Sequence, residues 1–339
     1  MTDIKVSVLI PVYGVEKYIE KCAHSLFQQT MKEGIEFIFV DDSTPDRSIE
    51  ILQQVLSQYP ERINQVKIIR HEKNKGIAVT RDNGVKSSRG QYVIHCDSDD
   101  WVEPDMYETL YIKAKETEAD IVGCDYFLEL KNSSIHRNQY FNLPQNKILN
   151  ELATIKGLLG GFLWTRMIKR DFYIKRQYKA EKGITLLDDL AITFPMHLHT
   201  DKVEYIPKPL YHYNRVIDQS ITSEFSPAKI NSAISVFNKL LTLDLNKKLR
   251  KKIIKRRNNL YLYYIDNFHP FNANLFRNKY LQEIPDDIIK DLKGSQKFRF
   301  NMVSKGYDKV AKFSLFVEAV SLILKQKIKR PIYNFKYKS

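Results

Sequence analysis

The sequence is poor in several features that mark common protein classes. Only three cysteines occur in 339 residues, Cys22, Cys96 and Cys124, and none has C-x-x-C or Cys/His metal spacing. This excludes a disulfide framework and a structural zinc site, and it favours a reducing cytoplasm. The amino terminus lacks a charged leader and a cleavage site, so no signal peptide is predicted. Because no run of about 18 uncharged apolar residues occurs, no membrane-spanning helix is predicted either.

Glycine-rich phosphate motifs are absent as well. Neither G-x-G-x-x-G nor G-x-x-x-x-G-K-[ST] follows the first apolar run. This counts against dinucleotide-binding and P-loop enzymes, so a nucleotide would have to be bound through carboxylates and a metal ion. The hydrophobic content of 43% excludes a disordered chain and is enough for a sizeable core.

Positive charge is concentrated in the last third of the chain. The whole chain carries a formal net charge of +14, but residues 226–339 hold 25 basic and 8 acidic side chains, against 29 and 32 in residues 1–225. Within the last third, eight of the eleven residues from Lys247 to Arg257 are basic. We therefore predict two parts, a catalytic domain over 1–225, divided near residue 105, and a basic, mainly helical region over 226–339.

Short β-branched runs alternate with helical patterns in the first part of the chain. Strands are predicted at 6–13, 35–42, 66–70 and 91–97, with helices at about 16–29, 47–58 and 77–87. Such alternation predicts an α/β fold with an open, mostly parallel sheet flanked by helices. In these sheets ligands bind beyond the carboxyl ends of the strands. Three features fall there: Pro11-Val12-Tyr13, Asp41-Asp42, and Asp97-Ser98-Asp99-Asp100.

The last of these features holds three carboxylates in four residues. Their mutual repulsion is costly without a cation, and carboxylate oxygens suit Mg²⁺ or Mn²⁺, which also bind diphosphates. The alternative is a solvated acidic turn that caps the next helix. Asp42 has two readings as well: its carboxylate could accept a hydrogen bond from a nucleobase or ribose, or it could be a turn residue beside Asp46, which would cap the following helix.

Several segments in order resemble glycosyltransferase family 2, whose members are inverting enzymes with the GT-A fold. The segments are VSVLIPVYG, FVDDSTPDRS, NKGIAVTRDNG, GQYVIHCDSDDWVEPD, LWTRMIKRDF, GITLLDDLAITFP and KPLYHYNR. The resemblance extends over about residues 5–215 and is to members that make bacterial polysaccharides. It departs from the family pattern at Gly14, where Asn is usual, and at Ser43, where Gly is usual. Thr165 and Arg166 likewise stand where Asn and Lys are frequent.

The resemblance implies roles for individual residues. Pro11, Val12 and Tyr13 would line the base pocket of a nucleotide-sugar, Asp42 would read the base, and Asp97 would lie near the ribose. Asp99 would hold a divalent metal, Mg²⁺ or Mn²⁺, and Asp189 would be the general base. Without the resemblance, Asp188 and Asp189 could merely begin a helix.

Two further residues are predicted with less specific support. Arg81 is assigned to the nucleotide-sugar, where it could face the diphosphate or the acceptor. His212, which is flanked by two tyrosines, is assigned to the metal or the leaving phosphate. For both, a structural role is the alternative, since a histidine among aromatic residues is commonly a satisfied core residue.

The predicted function is transfer of a sugar from a nucleotide-diphosphate donor to a glycan or lipid-linked glycan at the cytoplasmic membrane face. The basic region could contact anionic lipid, with an apolar stretch at 313–324 as an interfacial helix, or only pack on the catalytic domain. Two alternatives remain. One is a catalytically inactive nucleotide- or lipid-binding module on the same scaffold. The other, which the sequence favours less, is nucleic-acid binding through the basic run.

Overall fold

The computed structural model describes residues 3–139, 141–154, 161–216, 226–267, 289–290, 292, 294–307 and 309. The chain divides into two compact units, Met1–Arg256 and Arg257–Ser339. The boundary expected at Phe225 lies outside the described residues, and the first unit extends past it. The sheet lies entirely within the first unit.

Four parallel strands form one half of the sheet in the first unit. Their spatial order is β3-β2-β1-β4, with β1 between β2 and β4. The central strands are apolar on both faces, and all seven residues of β2 are buried, as expected for a sheet covered on both sides. The bounds are β1 (Val6–Val12), β2 (Ile35–Asp41), β3 (Val66–Arg70) and β4 (Tyr92–His95).

Three helices connect these strands, and the predicted α/β alternation is confirmed. The helices are α1 (Ile19–Phe27), α2 (Ser48–Leu56) and α3 (Ile77–Ser87), with a 3₁₀ helix at Pro60–Gln65. Helix α1 buries Ile19, Cys22, Ala23, Leu26 and Phe27, whose spacing places them on one face against the sheet.

The second half of the sheet is mixed. After β4 the order continues β8-β6-β9-β5, with β7 paired to β6; β6 and β9 run parallel, whereas β8 is antiparallel to β4 and β5 is antiparallel to β9. The strands are β5 (Trp101–Val102), β6 (Ile121–Leu130), β7 (Ser133–Arg137), β8 (Arg166–Lys169) and β9 (Val203–Asn214). The helices of this half are α4 (Met106–Thr117), α5 (Gln145–Leu152), α6 (Arg170–Lys175) and α7 (Asp188–His199).

Three helices are described beyond the sheet. They are α8 (Pro227–Leu240), α9 (Lys247–Asn267) and α10 (Gly294–Ser304). Helix α8 begins with Pro227 after Ser226, whose hydroxyl accepts a hydrogen bond from the Lys229 N–H at 3.3 Å. In the described part of the chain, no helix is long and apolar enough to cross a membrane. The apolar stretch predicted at 313–324 lies outside the described residues.

Candidate active site

The three predicted loops meet at the carboxyl ends of β1, β2 and β4. Asp42 donates its backbone N–H to the Val12 carbonyl at 3.0 Å, and the Ser98 hydroxyl donates to the Pro11 carbonyl at 2.6 Å. The parallel register of β1 with β2 and β4 brings these chain segments together. The prediction that the loops converge in space is therefore confirmed.

The first loop presents only part of its side chains to solvent. Tyr13 is 51% exposed, Pro11 is partly buried, and Val12 is fully buried in the core. An aromatic ring exposed to this extent beside the sheet edge is available for stacking on a ligand. The whole of Val12 is buried, and its carbonyl is occupied by the Asp42 N–H, so Val12 supports the loop from inside the protein.

Asp42 is a buried carboxylate with several donors. Its Oδ1 accepts hydrogen bonds from the Lys75 N–H at 2.8 Å and from Nδ1 of His71 at 2.7 Å, and its Oδ2 accepts from the Gly76 N–H at 2.9 Å. Two of these donors belong to the segment that begins α3. Because a carboxylate has about four lone-pair sites, one remains on Oδ2 for a further donor.

Two departures from the family pattern have a conformational explanation. Gly14 has φ +68°, and Ser43, next to Asp42, has φ +59°. The left-handed region favours Gly and tolerates Asn better than other residues. Replacement of Asn by Gly14 therefore keeps the turn, whereas Ser43 adopts a conformation that Gly would adopt without strain.

The acidic loop after β4 is anchored by Asp100. This buried carboxylate accepts hydrogen bonds from the Tyr211 hydroxyl at 2.7 Å and from the Asn214 N–H at 2.8 Å, both on β9. The Tyr211 hydroxyl also accepts from the Asp97 N–H at 3.1 Å. Strand β9 therefore fixes the loop through Asp100 and through the backbone groups of Asp97 and of Asp99, whose carbonyl accepts from the Asn214 amide at 3.2 Å.

Arg81 joins three carboxylates from distant parts of the chain. Its Nη2 lies 3.1 Å from Asp97 Oδ1 and 3.4 Å from Asp189 Oδ1, and its Nε lies 3.2 Å from Asp188 Oδ2. The Arg81 side chain is 6% exposed, whereas those of Asp188 and Asp189 are 15% and 17% exposed. We call these four residues the Arg81 cluster. Three acids share one cation, so the cluster lacks charge compensation.

The electrostatics of the Arg81 cluster favour protonation of its acids. Burial raises the pKa of Asp189 to about 7; Arg81 opposes this rise, and the negative charges of Asp188 and Asp97 add to it. Burial and the Asp97 charge likewise raise the pKa of Asp188. A carboxyl with a pKa near 7 is matched to proton transfer at neutral pH. Oδ2 of Asp189 also accepts a hydrogen bond from the Leu163 N–H at 3.2 Å.

The local backbone aims these carboxylates into the site. Helix α7 begins at Asp188, directly after Leu187, which has φ +65°. A leucine in the left-handed region is strained, and such strain is concentrated at functional sites. Both acids lie in the first turn of the helix, where the macrodipole stabilises negative charge.

Oxygen ligands suitable for a divalent cation occur in the acidic loop. Burial and the Asp97 charge raise the pKa of Asp99 to about 7, and Asp97 Oδ1 makes no hydrogen bond among the described residues but is ion-paired with Arg81 Nη2 at 3.1 Å. Negative charge of this kind on hard oxygens fits Mg²⁺ or Mn²⁺. No group of three or more potential ligand side chains is formed within the described ranges. Mg²⁺ commonly takes only one or two carboxylates, with phosphates and water as its other ligands.

His212 lies between two other carboxylates. Its Nδ1 is 2.7 Å from Glu129 Oε1 and its Nε2 is 2.8 Å from Glu103 Oε1, and its ring stacks between those of Trp101 and Phe127. Both ring nitrogens are therefore occupied. To coordinate a metal, His212 would have to release one of these carboxylates.

Several residues that build the site were not among the predicted ones. His71 and Tyr211 hold Asp42 and the acidic loop, respectively. Arg166 is fully buried: its Nε lies 3.2 Å from His197 Nε2, and it also contacts the Phe162 carbonyl, so it faces the protein interior. His71 follows β3 directly, so the rule that ligands bind beyond strand ends could have identified it.

Comparison with known proteins assigns the chain to a family. The model described as glycosyl transferase family 2 matches residues 7–176. The chain belongs to glycosyltransferase family 2. A putative glycosyltransferase of this kind, EpsH of Bacillus subtilis (strain 168), is 30% identical over 239 residues, which cover 68% of this chain and 67% of EpsH. The resemblance inferred from the ordered segments is confirmed.

Solved structures support the same fold. Residues 1–349 of S. aureus TarS, crystallised with UDP-GlcNAc, superpose with a TM-score of 0.61 at 15% identity, covering 94% of this chain and 92% of that one. The mannosyltransferase PcManGT of Pyrobaculum calidifontis, in complex with GDP-Man and Mn²⁺, gives a TM-score of 0.53 at 12% identity, covering 94% and 88%. This family 2 glycosyltransferase therefore has the expected GT-A fold.

Proposed function

We propose that this glycosyltransferase transfers a sugar, with inversion, from a nucleoside-diphosphate sugar to a hydroxyl of a glycan or lipid-linked glycan, with Asp189 as the general base. The observation that carries the proposal is the Arg81 cluster. It places Asp189, from the acceptor half, and Asp97, from the nucleotide half, on the same guanidinium nitrogen, at 3.4 and 3.1 Å. A base beside the donor pocket is the arrangement that a single displacement at the anomeric carbon requires.

On the donor side, we assign the nucleotide to the edge formed by β1, β2 and β4. Tyr13 is exposed for stacking on the base, and the pocket would continue along the partly buried Pro11, with the buried Val12 supporting this segment. The free lone pair of Asp42 Oδ2 suits a nucleobase N–H or a ribose hydroxyl. Asp97, the first residue of the acidic loop, would lie near the ribose. UDP-GlcNAc bound to TarS and GDP-Man bound to PcManGT support a nucleoside-diphosphate sugar as the donor class.

A divalent cation would be held by Asp99 together with oxygens of the donor diphosphate. When bound, Mg²⁺ or Mn²⁺ offsets the negative charge that grows on the leaving diphosphate. The raised pKa of Asp99 supports this assignment, because burial and the Asp97 charge outweigh the stabilising effect of Arg81 on the ionised carboxylate. His212 remains a weaker proposal for the same ion, since both its nitrogens face glutamates.

The chain's own groups account for the acceptor proton. In its ionised form Asp189 would take the proton from the attacking hydroxyl as the new glycosidic bond forms and the bond from the anomeric carbon to the donor diphosphate breaks, which releases the nucleoside diphosphate. The Leu163 N–H and Arg81 hold one carboxylate oxygen each, which fixes the direction of the remaining lone pairs. Arg166 and Thr165 are fully buried, so the acceptor would approach Asp189 without contacting their side chains.

The test combines binding with turnover. Nucleotide sugars are screened by thermal shift with and without Mn²⁺, because a ligand that binds only the folded state raises Tm. Transfer is then measured for wild type, Asp99→Asn and Asp189→Asn. We expect Asp189→Asn to retain the donor-induced Tm shift and lose transfer, and Asp99→Asn to lose the Mn²⁺-dependent part of the shift as well. Wild-type turnover in both variants would overturn the mechanism. Donor binding by wild type without transfer would favour the inactive module.

For localisation, we propose the cytoplasmic face of a membrane, with α9 as the contact surface. Two of its three arginines face inward: Arg250 donates to the Leu241 and Leu243 carbonyls at 2.8 and 3.1 Å, and Arg256 lies over the Phe237 ring at 5.1 Å. Lys247, Lys251 and Lys255 recur at i, i+4 and i+8 on one face of the helix. These three and Lys248 are exposed, and the fifth lysine, Lys252, is partly buried.

Anionic lipid fits this lysine face better than nucleic acid does. Ammonium groups are point charges that attract any anionic surface, at about 1 kcal/mol each near a membrane. Direct base reading relies largely on Arg forks and amides, and the arginines Arg250 and Arg256 are turned inward. The test is sedimentation of the full chain with phosphatidylglycerol or phosphatidylcholine vesicles.

A triple variant of the α9 lysine face carries Lys→Gln at 247, 251 and 255. Its control is a triple variant with Lys→Gln at the exposed residues Lys32, Lys131 and Lys202. We expect salt-sensitive binding to phosphatidylglycerol that the first triple variant loses and the control retains. Equal binding by both triple variants would overturn the proposal. Displacement from the vesicles by duplex DNA or RNA at lower concentrations than the lipid would favour the nucleic-acid alternative.

A further inference from the structure

The position of Arg81 is unusual for a residue expected at the donor. Its side chain leaves α3 and ends among carboxylates from the loop after β4 and from the first turn of α7. Among the described residues, its Nη1 is buried with no hydrogen-bond partner. The nitrogens that have neighbours therefore face Asp97, Asp188 and Asp189. Two of these acids belong to the proposed acceptor side.

Each carboxylate oxygen of Asp189 has one contact, a hydrogen bond at Oδ2 and an ion pair at Oδ1. Oδ2 accepts from the Leu163 N–H at 3.2 Å, and Oδ1 lies 3.4 Å from Arg81 Nη2. A carboxylate on a side chain with two free torsions would otherwise sample several orientations, and the hydrogen bond together with the ion pair restrains it. Arg81 is the member of this pair that also carries a charge.

We infer that Arg81 is a positioning residue for the general base: it orients the Asp189 carboxylate and keeps it ionised, so that it can accept the proton of the acceptor hydroxyl. This inference rests on the proposed function, in which Asp189 is the base. It assigns Arg81 to the acceptor side of the reaction, whereas the sequence assigned it to the nucleotide-sugar.

The charged and titratable groups around Asp189 make Arg81 important for its protonation state. Burial, Asp188 and Asp97 favour the protonated acid, whereas Arg81 favours the carboxylate. Arg166 on β8 and Tyr173 on α6 also interact electrostatically with Asp189. Of the two arginines, Arg81 makes the ion pair, because Arg166 faces His197 and the Phe162 carbonyl. Loss of the Arg81 charge would leave three neighbouring acids without their shared cation.

The experiment is a pH–rate profile of the full-length enzyme with saturating donor. A base must be ionised, so activity should rise with pH through the pKa of Asp189. An opposite charge within about 4–6 Å lowers an acid's pKa by about 1–3 units. We therefore expect Arg81→Gln to move the acidic limb of kcat upward by about one pH unit or more, with activity partly recovered near pH 9. Arg81→Lys keeps the charge and should shift the limb less.

Two further variants make the result specific. Arg89→Gln removes a 69% exposed arginine that pairs with Glu36, and the limb should stay in place. Asp188→Asn removes a neighbouring negative charge, and the limb should move downward. If Arg81→Gln does not fold, Arg81→Lys and Asp188→Asn still give shifts of opposite sign.

The outcomes separate the inference from the proposed function. An unchanged acidic limb in Arg81→Lys and Arg81→Gln, with a raised donor KM, would overturn the inference and make Arg81 a donor ligand. An Asp189→Asn variant with wild-type turnover would instead overturn the proposed base. Loss of activity in Asp189→Asn, together with the opposite shifts of the Arg81 and Asp188 variants, supports both.

Discussion

Asp42 and Asp189 are both largely buried carboxylates, but their surroundings differ. Asp42 accepts hydrogen bonds from two backbone N–H groups and from His71, all within 2.9 Å. Asp189 accepts one backbone N–H at 3.2 Å and shares Arg81 with two other acids. The first carboxylate is nearly satisfied within the chain, whereas the second is under-compensated. Groups of the second kind cluster at sites that act on ligands.

The difference also shows which acid contributes to folding. The donors of Asp42 join the end of β2 to the beginning of α3, so this carboxylate holds two elements of the nucleotide half together. The Arg81 cluster joins segments as well, but three acids repel one another around one cation. Asp42 therefore stabilises the fold, and the ionised acids of the cluster reduce that stability in exchange for a reactive base.

The largest expected effect is on turnover in Asp189→Asn. General-base catalysis contributes about 10²–10⁴-fold to the rate, so we expect a loss of that size. Asn keeps the shape and the Leu163 contact but cannot take a proton. The measurement is kcat with saturating donor and acceptor. The matched control is Asp125→Asn, a buried acid that accepts from the Tyr205 hydroxyl at 2.6 Å and the Gln139 N–H at 2.7 Å. A rate for Asp189→Asn above one tenth of the control's would contradict the assignment.

The next effect is on stability in Asp42→Ala. Removing the acceptor leaves the Lys75 and Gly76 N–H groups and His71 without their partner, which costs about 1–3 kcal/mol of unfolding free energy. Urea unfolding at neutral pH measures this loss. Asp46→Ala at the start of α2 is the comparison, because Asp46 accepts from the Ser48 N–H at 3.1 Å but is more exposed. An Asp42 variant as stable as wild type would show that the carboxylate serves only the ligand.

Removing the Asp189 carboxylate should raise the free energy of unfolding at high pH, whereas removing the Asp42 carboxylate lowers it. The pKa of Asp189 in the folded chain is about 7, above the usual unfolded value of about 3.9, so the folded state holds the proton more tightly. The associated stability is present below about pH 4 and is lost as the pH rises to about 7. Asp189→Asn should therefore be more stable than wild type at pH 8, by up to about 4 kcal/mol for a shift of about three pKa units, and the gain should shrink at pH 5.

Urea unfolding in the presence of EDTA measures this difference at both values of pH. Comparing the variant with wild type cancels the carboxylates whose pKa is lowered, such as Asp46 and Asp105, because they are the same in both proteins. A constant stability difference between pH 5 and pH 8 would show that Asp189 is already ionised across this range.

The comparison also separates what the sequence predicts from what it does not. The strands, the meeting of their ends and the acidic loop follow from local patterns, since β-branched runs and short loops need only near neighbours. The partners of Asp42 could not be predicted, because they are backbone groups placed by the loop before α3. The contact of Arg81 with Asp188 and Asp189 depends on how the two halves of the sheet pack, which no local pattern records.

Of the left-handed φ angles of Ser43 and Leu187, only that of Ser43 could be predicted from the sequence. The usual Gly at the position of Ser43 indicates a left-handed residue, and Ser43 has that conformation. Nothing in the sequence marks Leu187, whose left-handed φ is imposed where α7 begins. His212 was assigned to the metal or the leaving phosphate, and its aromatic neighbours indicated a structural role as the alternative. Its glutamate partners lie on other segments and could not be inferred from spacing.

The smallest effect is expected for His212→Gln, which tests whether His212 behaves like Asp42 or like Asp189. Its imidazole bridges Glu103 and Glu129 and is stacked between two aromatic rings, so it resembles the satisfied type. We expect a loss of about 1 kcal/mol in unfolding free energy, the size of one typical hydrogen bond. Loss of a metal ligand or its supporting partner typically weakens metal binding or activity by about 10–100-fold. The discriminating measurement is the Mn²⁺ concentration that gives half-maximal activity: an unchanged value places His212 with Asp42 as a structural group, and a tenfold rise makes it a ligand that exchanges a glutamate for the metal.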